Sequence, residues 1–385
     1  MRFIIFLFLF FVLAVGCGNG DTQNVEAASK EAKKWITDHL VTDARTARIE
    51  EVFRRKVQHE NFNGNVLIAQ KGNIIYRASF GKADFERDIP LTINTKFQLA
   101  SVSKQMTAIA ILKLVQDGKL SVQDSVVRFF PDFPYKDVTV HSLLCHRSGV
   151  PNYIYVYPAN EAEANPPTNA QLMTWFAKEK PDMYNKANTS FGYCNSNYAV
   201  LAAIVEQVSG LGFETYMRKQ IFEPLGMMDT WVTTSANESL DEDKALGHDI
   251  RKKPYEPDMF DRVTGDKGVY STIDDLYMWY RMLQEERFLT PNLYKEAFTP
   301  RSFEKRGVKN YGYGFRLLHD AVKKHTWAIY HHGWWKGFNT LFYMSPDDDF
   351  VIIILGNRYS KTVYNINPLL EILQNGKSDT QIDED

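Results

Sequence analysis

Ser101-Val102-Ser103-Lys104, continued by Gln105-Met-Thr-Ala-Ile-Ala-Ile-Leu-Lys-Leu-Val-Gln-Asp-Gly118, decides how the rest of the chain is read. From Val102 to Val115 apolar residues occupy nearly every face of a helix, interrupted by Lys113 and a few small polar residues. A helix that is apolar all round belongs inside a core, and Gly118 after Asp117 supplies a left-handed stop. Ser101 therefore stands at the N-terminal mouth of a buried helix, with Lys104 one turn along on the same face. An ammonium placed there loses water and meets the positive end of the helix dipole. Both effects favour the neutral amine, the form that takes a proton from a hydroxyl.

The Ser-x-x-Lys spacing carries little alone, since roughly one or two chance matches are expected in a chain this long at ordinary residue frequencies. Ser302-Phe-Glu-Lys305 is such a match, in a charged run with no apolar helix behind it. Taken without context, Ser101 reads equally well as a helix cap.

The chain has 385 residues, 44% hydrophobic and 24% charged, with a formal net charge of -2, which suits one large folded domain or two intimate ones. Arg54-Arg55-Lys56 and Lys323-Lys324 are short enough to be solvated faces, and no nucleic-acid footprint is present. Met1-Arg2 and the apolar run Phe3 to Val15 read as a secretory signal, too short to span a bilayer. Leu13-Ala14-Val15-Gly16-Cys17 resembles a bacterial lipoprotein signal, with Leu four residues before the cysteine instead of three. That resemblance implies lipidation of Cys17 and a membrane anchor on an exported protein. Ordinary signal cleavage is the alternative, and either way the protein leaves the cytoplasm. Cys145 and Cys194 then remain, too few for a disulfide framework, and read as free small hydrophobes.

In order, the expected organisation is a signal peptide (1–17), a tether and N-terminal helix (18–44), one large folded domain (45–372) and an acidic tail (373–385). Ile49, Val52, Phe53 and Val57 form a one-sided helical stripe. Asn65 to Gln70, a Lys71-Gly72-Asn73 turn and Ile74 to Phe80 read as a hairpin. The middle is mostly helical, including the apolar segment Asn197 to Val208. The stretch from Val150 to about Thr168, with Tyr153, Tyr155 and Tyr157, is long for a loop without function. Strands return at Trp327–Tyr330, Thr340–Met344 and Phe350–Leu355, before a last helix near Ile366–Leu373. The expected fold class is α+β: an antiparallel sheet from N- and C-terminal strands flanked by helices, plus a mainly helical subdomain.

Two further motifs follow the first. Tyr193-Cys194-Asn195 precedes the apolar Asn197–Val208 segment, and His331-His332-Gly333 adjoins an apolar strand and leads into Trp334-Trp335-Lys-Gly337. Alone, Tyr193 reads as a core tyrosine, His331 as a strand-end cap and the tryptophans as packing residues; Ser235-Ala-Asn237 is a chance Ser-x-Asn. His141 and His146 read as structural. Together and in this order, the three motifs resemble the serine β-lactamase and D,D-peptidase superfamily, specifically its class C-like branch. The resemblance runs from about Ile49 to Arg358. It includes Phe97-Gln-Leu-Ala-Ser-Val-Ser-Lys104, Leu143-Leu-Cys-His-Arg-Ser-Gly149, and Phe222-Glu-Pro-Leu-Gly-Met-Met-Asp-Thr230. It also takes in Gly268-Val-Tyr-Ser-Thr-Ile-Asp-Asp-Leu276, Tyr311-Gly-Tyr-Gly-Phe315 and Leu355-Gly-Asn-Arg358.

The resemblance implies a serine hydrolase acting on an ester or amide acyl substrate, small molecule or peptide, with no metal and no cofactor. Ser101 would be the nucleophile and Lys104 would help remove its proton. Tyr193 would relay the proton to the leaving group and activate the deacylating water, and Asn195 would hold Lys104 and the substrate amide. Backbone N–H groups of Ser101 and Trp334 would form the oxyanion hole, and His331 would supply positive charge opposite the tyrosine. Gly333, His332, Trp335, Arg358 and Tyr153 are the expected substrate contacts. Nearest within enzymes is a D,D-carboxypeptidase, D-aminopeptidase or true β-lactamase; the rival of another class is an idle wall- or partner-binding lipoprotein.

The sequence departs from its family at the third motif. Many members carry lysine at position 331 and Ser or Thr at 332, where this chain has two histidines. Histidine near its ordinary pKa of about 6.5 is partly charged at neutral pH, so binding of anionic substrates would strengthen toward pH 6, and Arg358 is the candidate for the missing cation. Trp334 and Trp335 replace small residues and should narrow the cleft. The usual Pro-Gly before the second motif is absent around Asn185-Lys-Ala-Asn188, and Cys194 takes the place of a common serine.

Overall fold

The computed structural model describes residues 30, 32, 34–160, 165–234, 243–304 and 307–374. The expected signal peptide, Cys17, most of the expected tether and the tail from residue 375 lie outside the described residues.

The centre is a seven-stranded antiparallel sheet. Its strands are β1 (Gly64–Gln70), β2 (Asn73–Phe80), β3 (Lys309–Tyr311), β4 (Arg316–Asp320), β5 (His325–Trp335), β6 (Phe338–Ser345) and β7 (Phe350–Gly356), in the spatial order β2-β1-β7-β6-β5-β4-β3. The N-terminal hairpin thus inserts beside the last strand, with Leu67 opposite Ile353, and the sheet is closed from both ends of the chain as expected. β1 and β7 are buried at every position because both faces are covered. Leu67, Ala69, Val351 and Ile353 face one core, while Val66, Ile68, Ile352 and Ile354 face the other.

Helices α1 (Ala44–His59) and α6 (Asn367–Leu373) cover the second face through Ile49, Phe53, Leu369 and Leu370. The first face packs on α2 (Ser103–Gln116) and α5 (Ile273–Gln284). Every residue of α2 from Ser103 to Leu112 is buried, which accounts for its all-round apolarity, and the chain leaves it at Gly118 with φ +69°. Helices α3 (Asn169–Glu179) and α4 (Asn195–Ser209) form the helical part, and their Leu172, Phe176, Leu201 and Ile204 join the same core as the sheet. Sheet and helical layer therefore share one hydrophobic interior, with α2 running between them.

Two local expectations need correction. The third motif lies within β5, which continues to Trp335 instead of stopping at Tyr330. The Val150–Thr168 stretch contains a short helix at Tyr153–Val156, capped by the Asn152 side chain. A small three-stranded sheet also forms from Phe97–Gln98, Val269–Ser271 and Trp231–Val232, ahead of the nucleophile.

Candidate active site

Ser101 sits in a tight 3-10 turn, Ala100–Val102, that leads into α2. Its approach is anchored on two sides. Leu99 N–H donates to Val269 O at 2.8 Å, and Thr340 Oγ1 donates to Leu99 O at 2.7 Å. Ala100 is held at φ +49°, a strained conformation for a residue with a Cβ and one that clusters at functional sites.

Lys104 is fully buried, and its Nζ meets three oxygens: Ser101 Oγ at 3.0 Å, Asn195 Oδ1 at 2.8 Å and Asp266 O at 2.8 Å. The amide and main-chain oxygens can only accept. A neutral amine has two N–H groups and one lone pair, so these acceptors take both hydrogens. The remaining direction of Nζ points at the Ser101 hydroxyl, the contact through which a neutral amine would take the serine proton.

Tyr193 comes from the segment entering α4. His146 Nδ1 accepts from Cys194 N–H at 3.2 Å and sits 2.9 Å from Asn197 Nδ2, fixing this segment from below. The His146 ring lies 4.4 Å from that of Tyr193, and burial pushes its pKa well below the ordinary histidine range. The Lys104 ammonium position lies 5.1 Å from the Tyr193 ring centre. Ser101, Lys104, Tyr193 and Asn195, far apart in sequence, are thus gathered at one place.

His331 is present at the site but not in the expected role. It is fully buried, 3.1 Å from the Tyr311 hydroxyl through Nε2 and 2.7 Å from His332 O through Nδ1. Burial, then the nearby Arg316 charge, hold its pKa well below the ordinary value. That direction disfavours the protonated ring that the expected positive charge would need. His332, with rings of Tyr364 and Tyr330 at 5.2 and 6.3 Å, is pushed down to about 3 by burial and by Arg316.

The cation is Arg316. Its guanidinium carbon lies 5.3 Å from the Tyr193 ring centre, and its Nε is buried without a hydrogen-bond partner among the described residues. Sequence reading missed it by one position: Tyr311-Gly-Tyr-Gly-Phe315 was singled out, and the arginine is the next residue. Arg358 does not fill that place, since it donates through Nη2 to Ile250 O at 2.5 Å, alongside His248.

The remaining expected contacts divide. Gly333 presses against the nucleophile turn: a Cβ there would stand 2.4 Å from Leu99 O and 2.9 Å from Ser101 N. Trp334 is 49% exposed beside it, free to line a cleft. Trp335 is held by a 2.7 Å bond from Nε1 to Asp261 Oδ1. Tyr153 is fully buried with its hydroxyl 3.0 Å from Asp266 Oδ2, so the expectation that it touches substrate is not met. Cys145 and Cys194 are both free and buried, as read.

Residues 49–374 match the family described as Beta-lactamase. The chain belongs to the beta-lactamase family. Among curated relatives, Penicillin-binding protein 4* of Bacillus subtilis (strain 168) is 31% identical over 330 residues, covering 82% of this chain and 72% of that protein. Among solved structures, the octameric penicillin-binding protein homologue from Pyrococcus abyssi superposes with a TM-score of 0.72 at 26% identity, covering 84% of this chain and 77% of that one. The penicillin binding protein from Bacillus halodurans gives the same TM-score, 0.72, at 23% identity, covering 86% of this chain and all of that one (100%). This beta-lactamase family member therefore shares both fold and serine hydrolase ancestry with penicillin-binding proteins.

Proposed function

We propose that this protein is a serine hydrolase of the class C-like branch that cleaves an ester or amide acyl substrate through an acyl-enzyme on Ser101. The observation that carries the reading is the placement of Lys104 Nζ between two obligate acceptors and the Ser101 hydroxyl. In the first step Ser101 Oγ adds to the substrate carbonyl carbon while its proton passes to the Lys104–Tyr193 unit. The carbonyl oxygen becomes an oxyanion held by the Ser101 and Trp334 main-chain N–H groups. Tyr193 returns the proton to the leaving alcohol or amine as the C–O or C–N bond breaks. Water then adds to the acyl carbon, gives its proton through Tyr193, and releases the acid with Ser101 restored.

A cell-wall peptide is the substrate class that Arg316 favours. An unpartnered guanidinium nitrogen beside Tyr193 suits the carboxylate of a peptide terminus, and the relatives named above are penicillin-binding proteins. With the lipoprotein-like start, the same reading places the enzyme outside the cytoplasm on a bacterial membrane, tethered through Cys17.

The test is a panel of nitrocefin, short-chain p-nitrophenyl esters and D-Ala-D-Ala peptides, run with wild type and Ser101→Ala, alongside fluorophosphonate labelling. Turnover and label are expected in the wild type and lost in the variant. Label persisting in Ser101→Ala would remove Ser101 as nucleophile, and an inert, unlabelled wild type would favour a binding lipoprotein instead.

A further inference from the structure

Directly behind the catalytic lysine lies a charged cluster that the reaction above does not use. Asp266 lends its main-chain oxygen to Lys104 and turns its carboxylate the other way, toward Lys267 and Tyr153. The Lys267 Nζ lies 2.6 Å from the Tyr153 hydroxyl, 3.1 Å from Val263 O and 3.5 Å from each Asp266 carboxylate oxygen. Tyr153 Oη lies 3.0 Å from Asp266 Oδ2. All three side chains are buried: Tyr153 0%, Asp266 1% and Lys267 3% exposed. Lys267 Nζ also stands 4.8 Å from the ring centre of Trp335, so the cluster joins the back of the site to its wall.

Burying an ion pair is costly, and a core of this size does not need one for stability. A charge pair placed one main-chain link from a proton-accepting amine does have an electrostatic consequence. We infer that Asp266 and Lys267 are positioning residues whose balanced charges set the pH at which Lys104 can accept the Ser101 proton. This rests on the hydrolase reading given above. The Asp266 carboxylate draws a proton onto Lys104, and the Lys267 ammonium, which repels Lys104, opposes it. The two fields oppose each other, while the Asp266 carbonyl fixes the amine in place. Burial draws the Lys267 pKa below the ordinary lysine range, and the Asp266 and Asp261 carboxylates pull it back up.

The other groups facing Lys104 are Ser101, Asn195, Tyr193, Cys194, the Tyr198 ring at 5.8 Å, and the buried His146 and His331. The pair itself is faced by Tyr153, Asp258, Asp261 and Trp335. The two charge variants alter none of these, and Tyr153 is changed only in an uncharged control.

The test is the rate of Ser101 labelling by a fluorophosphonate across pH 5 to 9, whose acidic limb reports the base of the free enzyme. Asp266→Asn leaves an uncompensated cation behind Lys104, so its acidic limb should move down by about one pH unit, the scale of a unit charge several ångströms away at an effective dielectric near 20. Lys267→Met should move it up, and the double variant should return it close to wild type. Tyr153→Phe removes hydrogen bonds from the same cluster but no charge, so its limb should stay. An unmoved limb in Asp266→Asn, shifts of one sign in both charge variants, or an equal shift in Tyr153→Phe would overturn the inference. Each leaves the Ser101 chemistry standing if label still appears. A wild type without label at any pH would instead remove the hydrolase reading and the pair's role with it.

Discussion

The guanidinium carbon of Arg316 stands 5.3 Å from the centre of the Tyr193 ring, which places the positive charge of this site on β4 and not in the third motif. Burial holds the pKa values of His331 and His332 down, so Arg316 is the sheet-side charge placed beside Tyr193 to greet an anionic substrate. Replacing Arg316 by Gln should lower kcat/KM by ten- to a hundredfold on acyl substrates carrying a carboxylate, the usual worth of a charge-assisted hydrogen bond. Matched neutral esters should lose less, and Arg316→Lys should recover part of the difference. Equal losses on both substrates would show that Arg316 does not read the anion.

Lys104→Ala and Tyr193→Phe should each reduce turnover by at least about a hundredfold, the scale of losing acid–base catalysis. Asn195→Ala should cost less, because Asp266 O still holds one hydrogen of the amine. Single-turnover labelling separates the steps: Lys104→Ala should slow acylation, whereas Tyr193→Phe should also slow release of the acyl group. Near-normal rates in either variant would reverse the roles given to the two side chains.

The acid side of the stability curve follows from the buried histidines. His332 is pushed down to about 3 in the folded chain, against about 6.5 when unfolded. Below pH 6.5 the unfolded chain therefore binds the extra proton, so stability is full above that pH and declines as pH falls. At pH 5 a histidine of this kind removes about 2 kcal/mol, and His331 and His146 act in the same direction. Chemical denaturation at pH 7 and pH 5 should show this loss, and His332→Asn should shrink it. An equal pH dependence in variant and wild type would mean that His332 titrates normally. The same shifts cancel the expectation that anionic substrates bind better toward pH 6: His331→Gln should leave the pH profile of activity unchanged between pH 5 and 7.

What could be read in the sequence was whatever declares itself locally. The apolar wrap of α2 announced a core helix, the Lys71-Gly72 turn announced the β1–β2 hairpin, and the order of three motifs announced the family. The residues that were missed depend on long-range placement. Arg316 and Lys267 lie one residue outside the segments Tyr311–Phe315 and Gly268–Leu276, and Asp266 two, and nothing in their own neighbourhoods signals a role. Arg316 matters because β4 pairs with β5, bringing Arg316 opposite Tyr330. Asp266 matters because its carbonyl meets Lys104 across 162 positions. The histidines misled for a related reason: composition gives their ordinary pKa, whereas burial under β4 and β6 decides their charge. The small sheet of Phe97–Gln98, Val269–Ser271 and Trp231–Val232 was invisible because strands of two or three residues carry no period.

Gly333 offers the sharpest check on how the nucleophile is held. It lies in β5 opposite Thr340, and a methyl group on it would stand 2.4 Å from Leu99 O, 2.5 Å from Thr340 Oγ1 and 2.9 Å from Ser101 N. Two of those neighbours are main chain and cannot swing aside, so β5 and the nucleophile turn must separate. That separation pulls the Trp334 N–H away from the Ser101 N–H, the two donors assigned to the oxyanion. Loss of one such donor costs about a hundred- to a thousandfold in kcat. Gly333→Ala should therefore lose activity on this scale, while its folding stability falls only by the amount a local overpacking defect brings, about 1–3 kcal/mol. Ser101 should remain present but label slowly. A Gly333→Ala enzyme with normal kcat would mean that the strand does not complete the oxyanion site.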